Sequence, residues 1–152
     1  MPLATPADVQ AHASANKANK AEVAIVRVLN RERRRRGIPG LRLSPRLAGV
    51  ARNHTLDQLR TDRLNHTSSD GTPSDVRIRR AVRARANGET IAFSSRGAGS
   101  GARTIVRMWL RSPAHASVLL SRSFRRVGIG RAKGRLGSSP GVVVTANLTS
   151  RR

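Results

Sequence analysis

The chain has 152 residues and a formal net charge of +22, because 30 lysines and arginines face only 8 aspartates and glutamates. This length suits one domain with a real hydrophobic core, and with two Phe, one Trp and no Tyr the core must be aliphatic. The absence of cysteine excludes disulfides, thiolate metal sites and a cysteine nucleophile. No apolar run is long enough to predict a membrane-spanning helix.

The positive charge leaves two interpretations open. Arginine clusters at 33–36, 77–85 and 122–135 would give salt-sensitive, non-specific binding to polyanions such as nucleic acid. Arginine is nevertheless spread along the whole chain beside abundant alanine and glycine, so a compositional bias is the favoured explanation of the charge. The three scattered aromatic residues make a poor stacking platform for single-stranded nucleic acid.

The first 20 residues predict a flexible polar leader, followed by a single domain over 21–150. The leader lacks the charged and apolar regions of a signal peptide. The segment "EVAIVRVLNRERRRRG" has apolar residues at helical spacing and ends in glycine, which predicts an amphipathic helix. The connection "IPGLRL" is expected to bury Leu41 and Leu43 under the domain.

A second helix is predicted from Ser44, where Ser-Pro gives a capping residue followed by proline at the first helical position. It covers "SPRLAGVARNHTLDQLRTDRL", and His54 on its apolar stripe is expected to be a packing residue. Turn residues fill "NHTSSDGTPS". The segment "DVRIRRAVRARA" then predicts a short, very basic helix.

The C-terminal half alternates between short elements. It reads as an extended stretch "GETIAFSS", a flexible loop "RGAGSG", and a helix "ARTIVRMWL" with Trp109 in the core. A further helix is predicted to begin at Ser112-Pro113. The segments "RRVGIGRA" and "VVVTANL", separated by the turn "KGRLGSSPG", predict a closing hairpin. Helices followed by a hairpin favour an α+β fold.

Three residues stand out as candidates for chemistry. His66 lies where a helix gives way to a loop, and His115 lies near a predicted helix N-terminus, whose dipole favours the neutral imidazole. Glu89 is the only acidic residue between 76 and 152. It is either placed for a function or paired with nearby arginines. Two histidines and a carboxylate can hold zinc with one position left for water, although sequence separations of this size do not show that the three converge.

The alternative enzyme hypothesis is a metal-assisted hydrolase of protease or esterase type, with Glu89 as general base beside His66 and His115. Other enzyme classes have little support. The sequence contains no GxSxG nucleophile elbow, no phosphate-binding P-loop and no dinucleotide-binding fingerprint.

Taken in order, several segments resemble a bacterial-type CAP domain, the superfamily of cysteine-rich secretory proteins, antigen 5 and pathogenesis-related 1 proteins. The resemblance covers about residues 22–149 and depends on motif order and spacing. It is carried by "LNRERRRRGIPGLRLSPRLAGVARNHTLDQL", "LNHTSSDGTPSDVRIRRA", "NGETIA", "MWLRSPAHASVLL" and "FRRVGIGRA".

The resemblance implies an α–β–α sandwich, with a small antiparallel sheet between helical layers and a cleft lined by a His/Glu tetrad. By motif position, the tetrad corresponds to His66, Glu89 and His115, with Ser112 in place of the second glutamate. The loss of that carboxylate reduces the negative charge of the cleft. Thr90 replaces the asparagine that usually follows the family's glutamate.

The family has no common enzymatic activity, so the resemblance leaves the activity open. Most members are secreted or cell-envelope proteins, and for this chain a non-catalytic protein of that kind is the favoured expectation over an enzyme. Roles reported for members include sterol and lipid binding, contact between pathogen and host, and proposed proteolysis. For this chain we therefore expect a cleft for a divalent metal such as zinc, or for a small or lipid ligand. Polyanion binding through arginine is the second alternative.

Overall fold

The computed structural model describes residues 18–151, so most of the predicted leader lies outside the described residues. Five helices and four strands follow in chain order. They are α1 (Lys20–Arg35), β1 (Arg42–Leu43), α2 (Pro45–Thr61), α3 (Ser74–Ala81), β2 (Asn87–Ser95), α4 (Ala102–Arg111), α5 (Pro113–Leu119), β3 (Arg126–Leu136) and β4 (Ser139–Thr149). A short 3-10 turn covers Arg96–Ala98. Within 18–151 no helix combines the length and apolar character needed to cross a membrane.

The strands form one mixed sheet in the order β1-β3-β4-β2. The three long strands are antiparallel, as predicted, and the two-residue β1 adds a parallel pair to β3. The α+β class is therefore confirmed. Strand β2 lies at one edge of the sheet and contacts helices α3, α4 and α5.

Alternate residues of β4 face two different helical layers. Val142, Val144, Ala146 and Leu148 belong to the main core, which also contains side chains of α1 and α4, among them the fully buried Trp109. On the opposite face the hydroxyl of Thr55 in α2 donates to the Thr145 hydroxyl at 2.9 Å. The sheet thus lies between helices, which is the layering that the family resemblance predicts.

Two glycines of β3 allow α2 to lie directly against the sheet. A Cβ at Gly128 would be 2.0 Å from the Ala48 nitrogen, and one at Gly130 would be 2.4 Å from the Ala51 carbonyl carbon. Only glycine leaves room for backbone at these distances. This close contact fixes α2, which carries His54 toward the edge strand.

Three local predictions need correction. Leu43 is 42% exposed, whereas Leu41 is buried as expected, because β1 is an edge strand. Helix α3 ends at Ala81, five residues before the predicted end, since Val82 turns extended and packs with Ile78 and Leu47. The hairpin turn is shorter than predicted, because Leu136 pairs with Ser139 across Gly137, which adopts φ +58°.

One arginine of the predicted basic clusters is structural. Arg33 is fully buried and its guanidinium donates to the carbonyl oxygens of Pro39, Leu119, Ser121 and Phe124. Burial lowers the pKa of Arg33 to about 10, and the charge of Arg125 contributes to the same shift. Arg33 therefore ties α1 to the segment between α5 and β3 and cannot contribute to a polyanion-binding surface.

Candidate functional site

Glu89 lies on the edge strand β2 with its side chain only 1% exposed. On the preceding residue, a Cβ at Gly88 would contact Val118 and Phe124 of the main-core layer. Because successive residues of a strand face opposite sides, the Glu89 side chain points toward α2 and α3. This carboxylate is therefore buried at the junction between β2 and those two helices.

Arg77 of α3 is the main partner of that carboxylate. Its Nη2 atom is 3.0 Å from Glu89 Oε2 and 3.3 Å from Glu89 Oε1, and it also donates to the His66 carbonyl oxygen at 3.0 Å. The Arg77 side chain is 12% exposed. The guanidinium thus ties the edge strand to α3 and to the loop that carries His66.

His66 completes the cluster from the loop after α2. Its Nδ1 is 2.9 Å from Glu89 Oε1, and its side chain is 56% exposed. Because a carboxylate accepts hydrogen bonds, the Nδ1 atom is assigned the proton that it donates to Glu89. The Nε2 atom of His66 therefore faces away from Glu89.

His54 is buried beneath the cluster, which confirms the predicted packing role and adds a site contact. Its Nε2 is 2.6 Å from the Asn65 carbonyl oxygen and 3.8 Å from Glu89 Oε1. Its Nδ1 is 3.4 Å from the Ser68 hydroxyl. Since Asn65 precedes His66, His54 helps to hold the loop that presents the exposed imidazole.

Ser112 and His115 come from the junction between α4 and α5. Ser112 occupies the N-cap position of α5, as predicted, but its hydroxyl makes no capping hydrogen bond. His115 is half-buried in the first turn of α5. Burial lowers the pKa of His115, and the neighbouring His66 lowers it further. The predicted neutral imidazole is thus supported, with burial and His66 as its causes.

The pKa of His54 is also lowered, chiefly by burial, with a smaller contribution from the charge of Arg77. The nearby Glu89 carboxylate opposes this shift. The imidazoles of His54 and His115 are therefore neutral at pH 7, where an ordinary histidine is already mostly deprotonated.

The predicted zinc ligands His66, His115 and Glu89 do not fit a metal ion in this arrangement. Over 18–151, no group of three or more histidine or acidic residues is placed so that it could hold one. Both oxygens of Glu89 are engaged by Arg77, and one of them also by His66. A metal ion at Glu89 would have to compete with the Arg77 guanidinium for these oxygens, so Glu89 is poorly placed to be a metal ligand here.

Sequence reasoning missed Arg77 and did not connect His54 with the site. Arg77 is one of many arginines in a basic helix, and nothing in the local sequence separates it from its neighbours. The available signal was Glu89 itself, because a lone carboxylate in a basic region predicts a cationic partner. The sequence left two interpretations of Glu89 open, placement for a function and pairing with a nearby arginine. In the structure Glu89 is ion-paired with Arg77, and it also contacts the candidate histidine His66.

Comparison with known proteins gives a family match over most of the chain. A family model described as "Cysteine-rich secretory protein family", CAP, matches residues 26–148. No curated protein sequence matches the chain.

Solved structures support the same fold. An extracellular protein containing an SCP domain from Bacillus anthracis is similar over 99% of this chain, with a TM-score of 0.72 and 24% identity. The chain spans only 45% of that protein. An outer surface protein from Borrelia burgdorferi has a TM-score of 0.68 and 19% identity, with 89% of this chain and 97% of the other covered.

A cysteine-rich secretory protein from Staphylococcus aureus has a TM-score of 0.63 and 15% identity, over 86% of this chain and 38% of its own. At these identities the likenesses concern the fold. The family match covers the sheet except for the last residue of β4, most of the helical layers and every residue of the candidate site. The chain belongs to the CAP family, the family of cysteine-rich secretory proteins.

Proposed function

We propose that this chain is a secreted or cell-envelope binding protein without enzymatic activity, and that its cleft takes a small hydroxyl-bearing ligand. We propose that this cleft is bordered by His66, Glu89, Ser112 and His115, of which His66 and Glu89 are in contact and His115 lies close enough to His66 for its pKa to be lowered. One observation carries the ligand proposal. Both oxygens of the carboxylate accept hydrogen bonds from Arg77, and one of them also accepts from His66, whereas the Ser112 hydroxyl makes no capping hydrogen bond to α5 and half-buried His115 has its side chain partly open to solvent.

The chemistry of the free groups indicates the ligand class. The Nε2 atom of His66 is not used by Glu89 and can form a hydrogen bond with a ligand. The neutral His115 ring and the Ser112 hydroxyl can each donate one bond and accept another. An alcohol or sugar hydroxyl, which also does both, matches these groups, and the hydroxyl of a lipid would do so equally.

The extracellular location is proposed from family membership and from the extracellular protein of Bacillus anthracis that shares the fold. It is tested by fractionating cells of the native organism. We expect the protein in the envelope or the medium. Recovery in the cytosol alone would contradict this part of the proposal.

Ligand binding is tested by NMR of the imidazole rings in protein labelled at histidine. Glycerol, methyl glucoside and ethanol are added separately, and saturable shifts of the His66 and His115 signals are expected with at least one of them. His66→Ala and His115→Ala each remove the binding. If none of the three probes produces a saturable shift at millimolar concentration, the ligand proposal is wrong.

The lack of catalysis is tested on a panel of fluorogenic peptides and nitrophenyl esters, with zinc supplied. No turnover above the buffer rate is expected, because both Glu89 oxygens accept hydrogen bonds from Arg77. Turnover that disappears in Glu89→Gln while the fold is retained would overturn this part of the proposal.

A further inference from the structure

Arg77 occupies the place at the cleft carboxylate that a bound cation would otherwise take. Its Nη2 lies within 3.3 Å of both Glu89 oxygens, and helix α3 holds it there. We propose that Arg77 determines the ligand class of the cleft: as an internal cation it neutralises Glu89, and so excludes divalent metals in favour of uncharged ligands. This inference rests on the proposed binding role of the cleft.

The charge of Arg77 offsets the charge of Glu89. Within 18–151, Glu89 is the only carboxylate paired with a candidate histidine, and Ser112 at the start of α5 adds no charge. With Arg77 paired to Glu89, carboxylate and guanidinium cancel. A divalent cation would then meet an ion pair without net charge and would gain less attraction than from an unpaired carboxylate.

The Arg77–Glu89 pair is also largely shielded from water. The Glu89 and Arg77 side chains are 1% and 12% exposed, so neither can exchange its partner for water at little cost. In addition, the Nε and Nη1 atoms of Arg77 are buried without a hydrogen-bond partner. If a metal took Glu89 from Arg77, the buried guanidinium would lose its remaining carboxylate contact, and competition therefore favours the internal ion pair.

The contacts of Arg77 extend to the loop that carries His66. Arg77 also donates to the His66 carbonyl oxygen, and Glu89 accepts from the His66 ring. The same guanidinium therefore fixes the loop that presents His66 and the carboxylate that orients its ring. Without Arg77, Glu89 would be an uncompensated buried carboxylate with His66 beside it, and these are two groups that zinc readily accepts as ligands.

The test is calorimetric titration with zinc chloride on the wild type, Arg77→Gln, Arg77→Lys and the double variant Arg77→Gln/Glu89→Gln. Arg77→Gln is expected to bind zinc at least tenfold more tightly than the wild type. Arg77→Lys keeps the cation and is expected to resemble the wild type. The double variant is expected to lose the gain, because the freed carboxylate is absent.

Folding of each variant is checked by circular dichroism. If Arg77→Gln is too unstable for calorimetry, its melting temperature is measured with and without zinc, and zinc is expected to raise it more than in the wild type. An Arg77→Gln protein that is folded and binds zinc no more tightly than the wild type overturns the inference. So does an equal gain in the double variant.

The failure of this inference is distinguishable from that of the proposed function. The hydroxyl probes are tested by NMR on the wild type, and the gain of zinc binding on the variants. If no hydroxyl probe binds the wild type but Arg77→Gln binds zinc more tightly than the wild type, the ligand proposal alone is refuted. If a hydroxyl probe binds the wild type but Arg77→Gln binds zinc no more tightly than the wild type, the role of Arg77 alone is refuted.

Discussion

At the residue scale, the site depends on an ion pair that is shielded from water. Exposed ion pairs contribute about 0–1 kcal/mol to stability, whereas removing one partner of a buried pair costs roughly 3–5 kcal/mol, because the other charge is left buried and uncompensated. Arg77 and Glu89 belong to the second kind, since both side chains are largely buried. Their pairing is therefore part of the folded structure as well as of the cleft.

Glu89→Gln is accordingly expected to lower the free energy of unfolding by about 3 kcal/mol. The change leaves the Arg77 guanidinium buried without its counter-charge. Urea denaturation at neutral pH measures the loss. Arg79→Gln is a matched control on the same helix, because Arg79 is 60% exposed and its pair with Asp75 should be worth less than about 1 kcal/mol. Equal losses in the two variants would contradict the buried pair.

Stability is expected to fall on acidification because of His54. Burial lowers its folded-state pKa below the unfolded value near 6.5. Between the two pKa values the unfolded chain binds the proton and the folded protein does not, so stability rises with pH there, by at most about 1.4 kcal/mol per pH unit for one group. The contribution is complete above the unfolded pKa and is lost as pH decreases below it.

The variant His54→Gln removes this titration while keeping a donor for the Asn65 carbonyl oxygen. Unfolding free energies are compared for the wild type and the variant from about pH 7.5 to pH 5.5, spanning the ordinary histidine pKa. The wild type is expected to show the steeper decline. Parallel pH profiles would show that His54 is not the buried titrating group, and His115→Gln then identifies whether that residue supplies the slope.

At the scale of elements, α2 positions the site through its contact with the sheet. The Cβ distances at Gly128 and Gly130 are to backbone atoms of α2, which no side-chain rotation can relieve. The helix is thereby held against β3, and its C-terminal half carries His54 to the edge strand. The position of His54 near Glu89 thus depends on Gly128 and Gly130.

Gly128→Ala is expected to destabilise the protein by about 3 kcal/mol or more, because the helix backbone must move to admit the methyl group. Gly49→Ala is the matched control within α2. A Cβ there has nothing within 4 Å, and replacing glycine by alanine inside a helix should stabilise by about 0.5–1 kcal/mol. Thermal unfolding compares the two. A tolerated Gly128→Ala would contradict the close contact of α2 with the sheet.

Most elements are predictable from sequence because their signals are local. Apolar spacing, Ser-Pro starts and glycine ends locate α1, α2, α4 and α5, and the β-branched runs locate the hairpin. The end of α3 is not predictable, since Val82 leaves the helix to pack with Leu47, which lies 35 residues earlier in the chain. The burial of Leu43 is predicted wrongly because the sequence does not show that β1 pairs on one side only.

The site is predictable in part. Motif order assigns His66 and Glu89 to the same cleft, and the contact of their side chains at 2.9 Å agrees with that expectation. The partner Arg77 is not predictable, because its selection among the arginines of α3 depends on how that helix is oriented against β2. The pairing of the Glu89 carboxylate with Arg77 follows from this helix orientation. The spacing of residues along the chain does not show that orientation.

At the scale of the whole molecule, the charge of +22 is a source of self-repulsion. Among described residues the ion pairs are few, and Arg33 and Arg77 are buried rather than available to polyanions. The remaining arginines lie mostly at the surface, where repulsion is screened by salt. The charge thus bears on stability and non-specific binding without determining the fold.

Sodium chloride is therefore expected to raise the melting temperature at neutral pH, by screening repulsion among the surface arginines. Differential scanning calorimetry from low to moderate ionic strength measures the effect. The variant Arg46→Glu/Arg83→Glu, which changes two exposed positions, is expected to melt higher at low salt and to respond less to salt. A melting temperature that falls with salt would indicate that attractive pairs outweigh repulsion.

The most direct measurement is a crystal structure of the wild-type protein grown with millimolar zinc, with anomalous data collected at the zinc edge. The predicted result is a Glu89 carboxylate that remains paired to Arg77 and His66, with no anomalous peak within bonding distance of its oxygens. A zinc ion bound jointly by His66, Glu89 and His115, with Arg77 displaced, would contradict the assignment of this cleft as a metal-free binding site.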